Sequence, residues 1–203
     1  LMFGGGPGVG KTTVLLDLLA SIKNTNKETK VLFISAEMGK KQMYKYTQRF
    51  PQFGNIETLF TSDFNEYNSK DVIEQILNKG YDFVLTDSIA EVIEAVREDN
   101  GFDRKTTESW FVDVCIKNNK GENELKKYTS FINIQQFTKG LEFQGSNRLK
   151  HLMDATCKFT VKDEIKSIMF EKNRNGSAGV KVDYTLTNDK IIYGSISTVE
   201  EEI

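Results

Sequence analysis

The stretch GGPGVGKTT, residues 5–13, decides the fold, because it fits GxxxxGK[ST] in full: Gly5, four residues, then Gly10, Lys11 and Thr12. Each residue type has a chemical reason to be there. Glycines let backbone N–H groups turn inward around phosphate oxygens, and the helix that follows adds its positive N-terminus. A lysine reaches the β- and γ-phosphates, and a threonine hydroxyl ligates magnesium. The flanks agree, since LMF before the loop reads as the end of a strand and VLLDLLASI after it as a helix. Gly5, Gly6, Pro7, Gly8, Val9, Gly10, Lys11, Thr12 and Thr13 are therefore expected to hold a nucleoside triphosphate with Mg2+. ATP is expected rather than GTP, because there is no NKxD-type guanine signature.

Outward from the loop, short β-branched and aromatic runs alternate with helical spacing. VLFIS (31–35), FVLTD (83–87) and FINI (131–134) read as buried strands. Residues 12–22, 39–50, 71–79 and 108–116 carry apolar residues three and four apart, as helices do. This alternation predicts an α/β fold, a mostly parallel sheet flanked by helices. After about residue 154 the rhythm changes to ATCKFTV, SIMFEK, VDYTLT and IIYGSI, with turn residues between, which predicts C-terminal antiparallel strands extending the same sheet. NNKGENELKK, residues 118–127, is polar and without strong period, and reads as a mobile surface loop.

Length and charge set the outer bounds. The 203 residues suit one domain, 1–203. A first strand as short as Leu1 to Phe3 leads us to expect a piece of a longer protein. No apolar run approaches the roughly 18 residues of a membrane span, so no membrane association is expected. A net charge of -2 gives no global attraction for nucleic acid, so any such contact has to come from local Lys and Arg clusters. Cys115 and Cys157 lack CxxC spacing; buried free thiols and a cytoplasmic location are expected.

Two acids are candidates beside the loop. Asp87 ends an apolar strand and reads either as a cap or, with a phosphate loop nearby, as the residue that holds magnesium through water. Glu37 follows VLFISA; it reads either as an acid at the start of the helix near Gly39 or as the carboxylate that orients the attacking water. Near the C-terminus, FEKNRNG places Lys172 and Arg174 at i, i+2, on one side of a strand end, where both can address one anion. A solvated turn and a DNA-backbone contact are the other readings of that pair.

Taken in order, these stretches resemble the RecA superfamily of ring- and filament-forming ATPases, and within it the RadA (Sms) branch. VLFISAEM is similar to the strand that carries the family's catalytic carboxylate, and FVLTDSI to its magnesium strand. QQFTKG with GSNRLKHLMDA is similar to a GHVTKEG…AGPRVLEHMVD pattern, matching at Thr138, Lys139, Gly145, Leu149, His151 and Asp154 with Gln136 in place of the His, and FEKNRNG resembles both the KNRFG of RadA and the KQRNG of DnaB-type helicases. The resemblance implies a RecA-like P-loop core that hydrolyses ATP at subunit interfaces of a homo-oligomer, a hexameric ring or a filament. Single-stranded or branched DNA in repair or recombination would be its partner.

On that resemblance Glu37 is the catalytic carboxylate, Asp87 the metal residue and Gln136 the γ-phosphate sensor, and Lys172 with Arg174 address the neighbour's γ-phosphate. For DNA, the stretch Lys139 to Lys150 offers Lys139, Arg148 and Lys150 around Phe143, which is either a base-stacking ring or a hydrophobic anchor. His151 is expected to hold that loop, and Trp110 to pack in the core. On that resemblance, Lys150 in place of a family acid, and the polar stretch around 100–127, imply a divergent, phage-encoded member. A DnaB-type replicative helicase motor and a KaiC-like regulatory switch are the alternatives.

Overall fold

The computed structural model describes residues 1–136, 149 and 152–199. In chain order the elements are β1 (Met2–Gly5), α1 (Lys11–Thr25), β2 (Val31–Ser35), α2 (Lys40–Arg49), β3 (Glu57–Phe60), α3 (Ser69–Leu77), β4 (Phe83–Asp87), α4 (Ile89–Asn100) and α5 (Arg104–Asn119). They are followed by β5 (Ser130–Gln136), β6 (Ala155–Lys162), β7 (Ile165–Asn173), β8 (Val180–Leu186) and β9 (Ile191–Thr198). All nine of these strands form one sheet in the order β3-β2-β4-β5-β1-β6-β7-β8-β9. From β3 to β6 every pairing is parallel; from β6 to β9 every pairing is antiparallel.

The strands VLFIS and FVLTD read as near-continuous apolar runs because both of their faces are buried. Phe33 and Leu85 join Phe3, Ile132, Ile134 and Phe159 in a core layer with Leu15, Leu16 and Leu19 of α1. Leu32, Ile34 and Val84 face the other way and pack with Ile73 and Leu77 of α3, Val92, Ile93 and Val96 of α4, and Phe111 and Val112 of α5. Helix starts follow local chemistry: the Asn68 side chain accepts the amides of Lys70 and Asp71 at 3.1 and 3.3 Å, and Asp103 accepts that of Thr106 at 2.8 Å.

The expected architecture is present, with two additions. Helix α4 was not among the expected elements, although Ile89, Val92, Ile93 and Val96 have full helical spacing. Strand β3 was also missed; at four residues, with an exposed Glu57 and a half-buried Thr58, it gives little signal. The stretch 118–127 starts inside α5 and then turns back under several anchors. Asn123 holds the Lys127 carbonyl at 2.6 Å, and Thr129 N–H donates to the Asn118 carbonyl at 3.0 Å. Trp110 packs against the second core layer, and its indole N–H donates to Glu74 Oε1 at 2.6 Å. Burial pushes both cysteine thiols up to about 12, so they stay protonated and inert. No helix among the described residues is long and apolar enough to cross a membrane.

Candidate functional site

Parallel pairing puts the carboxyl ends of β1, β5, β4 and β2 side by side, where ligands of open α/β sheets bind. Gly5 is opposite Gln136, and Ser35 opposite Asp87. The glycine loop leaves β1 at this edge and enters α1 at Lys11. Gly8 and Gly10 have φ of +74° and +100°, a region that side chains disfavour, and a Cβ on Gly10 would lie 2.4 Å from Leu186 Cδ1. Lys11 folds back over the loop, its Nζ donating to the carbonyls of Gly5 at 3.0 Å and Gly6 at 2.9 Å. Burial lowers its pKa, while the Asp87 and Glu37 carboxylates pull the other way.

Thr12 Oγ1 donates to Asp87 Oδ2 at 2.5 Å, so the threonine hydroxyl and the strand-end carboxylate, 75 residues apart, share one point. Asp87 is 4% exposed. Burial, aided by Glu37 and opposed by Thr12 and Lys11, raises its pKa to about 6. Glu37 is fixed beside it through the backbone, because the amides of Ala36 and Glu37 both donate to the Asp87 carbonyl, at 2.8 and 3.3 Å. Its exposed side chain accepts from Gln136 Nε2 at 2.9 Å. Lys11, Thr12, Asp87, Glu37 and Gln136 are thus brought together. The Glu37–Gln136 contact joins residues 99 apart, and no local pattern announces it.

Lys172 and Arg174 lie elsewhere. Lys172 pairs with Thr156, which pairs with Met2 at the beginning of β1, whereas the loop leaves from the end of β1. That is about 10 Å along the strands and, at right angles, two strand spacings of about 10 Å, together roughly 14 Å. Lys172 Nζ donates to the Met153 carbonyl at 2.7 Å, and Arg174 pairs with Asp154 Oδ1 at 3.4 Å, so both cations turn to the same short segment. Strand β7 runs to Asn173, one residue past the expected stop. Thr138, Lys139, Phe143, Gly145, Arg148, Lys150 and His151 lie outside the described residues; Leu149 is buried in the second core layer.

The raised pKa of Asp87 has a measurable consequence. A carboxyl whose folded pKa exceeds its unfolded value favours folding when protonated. That contribution is complete below about 4 and is lost as pH rises through about 6. Its size is about 2–3 kcal/mol. In the absence of nucleotide and Mg2+, replacing Asp87 with Asn should flatten the stability profile between pH 4 and 7.5. Parallel profiles for the two proteins would refute the burial argument.

Fold and loop together define a RecA-like P-loop domain, and the sequence is similar to that of DNA repair protein RadA. With RadA of Campylobacter jejuni the chain is 27% identical over 184 residues, covering 87% of this chain and 37% of that protein. With RadA of Rickettsia prowazekii it is 28% identical over 201 residues, covering 95% and 41%. Over a shorter segment of 92 residues, 45% of this chain and 19% of the relative, identity to RadA of Listeria monocytogenes is 39%. The chain spans about two fifths of the length of the first two relatives. No family model matches.

Solved structures carry the same fold. A KaiC-like protein of Pyrococcus horikoshii superimposes with a TM-score of 0.64 at 13% identity, covering 96% of this chain and 88% of that one. The RadB recombinase superimposes with a TM-score of 0.64 at 17% identity, covering 94% and 89%.

Proposed function

We propose that this chain is an ATPase domain acting in DNA repair or recombination, which hydrolyses ATP with Mg2+ at interfaces between copies of itself. The observation that carries the reading is the meeting of Lys11, Thr12, Asp87, Glu37 and Gln136 at one edge of the sheet. A lysine for the phosphates, a hydroxyl and a buried carboxylate for a hydrated cation, and a carboxylate reaching past them for water are what phosphoryl transfer to water needs.

Magnesium fits this donor set. It keeps most of its waters and takes few protein ligands, so the Thr12 hydroxyl and Asp87 suffice beside the phosphates. Asp87 is buried and proton-hungry without a cation, a cost that a divalent ion at that point offsets. The ion would neutralise charge on the β- and γ-phosphates. Glu37 orients the water, and Gln136, bonded to Glu37 at 2.9 Å, links that carboxylate to the end of β5. The chain continues from there into the stretch expected to meet DNA.

Lys172 and Arg174 sit at the opposite end of the sheet from their own loop, so an intramolecular role at that loop is sterically remote. A second copy that presents its loop to this end would receive both cations, which makes the site composite. The names of the relatives, DNA repair protein and recombinase, favour DNA as the partner. The KaiC-like neighbour favours a second reading, in which ATP state controls a partner without DNA.

ATP turnover measured with and without single-stranded DNA separates the two. The first reading expects stimulation, and DNA binding that weakens steeply as salt rises. Turnover indifferent to DNA, with no salt-sensitive binding, would select the switch.

A further inference from the structure

Behind the phosphate loop lies a buried contact that neither motif nor resemblance assigns. Tyr184, on β8 and 3% exposed, donates its hydroxyl to the Val9 carbonyl at 2.6 Å. Its ring stands edge-on against Phe159, with centroids 5.9 Å apart and planes at 83°. Phe159 in turn fills the space beside Gly5, where a Cβ would meet Phe159 Cβ at 2.8 Å. Two residues on, Leu186 closes against Gly10. One strand therefore touches the loop twice, at Val9 and at Gly10.

The geometry of a peptide unit gives this contact its meaning. The Val9 carbonyl and the Gly10 N–H belong to one planar trans unit and point in opposite directions. A carbonyl held toward Tyr184 turns the Gly10 N–H away from the Tyr184 hydroxyl. Gly10, at φ +100°, has the freedom to let this plane rotate, so an external anchor is needed to choose one orientation. Burial pushes the Tyr184 hydroxyl up to about 12, so it remains a donor at any ordinary pH.

We propose that Tyr184 is a positioning residue of the phosphate loop: its bond to the Val9 carbonyl locks the Val9–Gly10 peptide with the Gly10 N–H presented to the terminal phosphates of a bound nucleotide. The proposal rests on the nucleotide-binding reading above. It acts by preorganisation, since a donor already aimed at an anion needs no reordering when the anion arrives. The hairpin that carries Tyr184 has other anchors. Arg49 donates to the carbonyls of Thr187 at 3.1 Å and Asn188 at 3.0 Å, and Tyr193 Oη donates to Asp17 Oδ2 at 3.2 Å. Loss of the Tyr184 hydroxyl therefore leaves the hairpin docked.

The test compares Tyr184→Phe with Tyr193→Phe in the 203-residue chain. Each removes one hydroxyl from the same hairpin and keeps its ring, but only the first touches the loop. Equilibrium binding is measured for ATP and for inorganic tripolyphosphate, which reads the loop without base or ribose. Tyr184→Phe should weaken both ligands by the same factor, about threefold to tenfold, the worth of one buried hydrogen bond. Tyr193→Phe should leave both affinities unchanged. Unaltered binding by Tyr184→Phe, or an equal loss in Tyr193→Phe, overturns the proposal. Lys11→Ala tests the underlying reading separately: if it binds ATP as the unmodified chain does, the nucleotide site is misplaced, and the role of Tyr184 falls with it.

Discussion

Arg174→Ala should bind ATP normally and hydrolyse it about three to five orders of magnitude more slowly, the range that an arginine supplied to a transferring phosphoryl group commands. Binding survives because the guanidinium is remote from its own loop, at the other end of the strands that join them. Folding survives too. The ion pair with Asp154 is exposed on both sides, with side-chain exposures of 53% and 58%, and pairs of that kind contribute about 0–1 kcal/mol. The large effect is therefore on chemistry rather than stability. A variant that keeps full turnover but loses DNA affinity would return Arg174 to the DNA-backbone reading.

The second large effect falls on Glu37. Glu37→Gln should retain ATP and Mg2+ and lose about two to four orders of magnitude in turnover, the contribution of a positioned general base. The substitution is conservative where structure is concerned. A glutamine oxygen still accepts from Gln136 Nε2, and the hooks that place residue 37, the amides on the Asp87 carbonyl, are backbone. What the substitution removes is the negative charge proposed to polarise the water. Near-normal turnover would mean that another carboxylate activates the water.

How far the sequence alone reached differs between fold and site. The loop and the strands VLFIS, FVLTD and FINI were legible because burial on both faces demands unbroken apolar runs, a strong local signal. The antiparallel ending was legible from its closely spaced turns. Strand order was not, because inserting β1 between β5 and β6 depends on crossovers that no single stretch records. Helix α4 was readable from Ile89, Val92, Ile93 and Val96, and was missed nonetheless. In the site, each acid was named on its own, but the contacts that tie the acids together were not. The bonds Thr12–Asp87, Glu37–Gln136 and Tyr184–Val9 join residues 75, 99 and 175 apart, and hydrogen bonds across a sheet leave no periodicity.

Lys172 and Arg174 show the same division. Their i, i+2 spacing suggested a shared target, and the structure does turn both toward one segment, Met153–Asp154. The register of β6 and β7 adds what spacing lacks: the end of the sheet on which the pair sits. From that placement comes the proposal of a second copy, whose loop would meet the pair in a shared site.

Mixing the two variants tests this most directly. In an Arg174→Ala and Glu37→Gln mixture, some interfaces join a loop that keeps Glu37 to a neighbour that keeps Arg174. ATP turnover should therefore reappear in the mixture, rising with the fraction of mixed interfaces, while each variant alone stays inactive. A mixture no more active than its separate components would contradict hydrolysis at a shared interface.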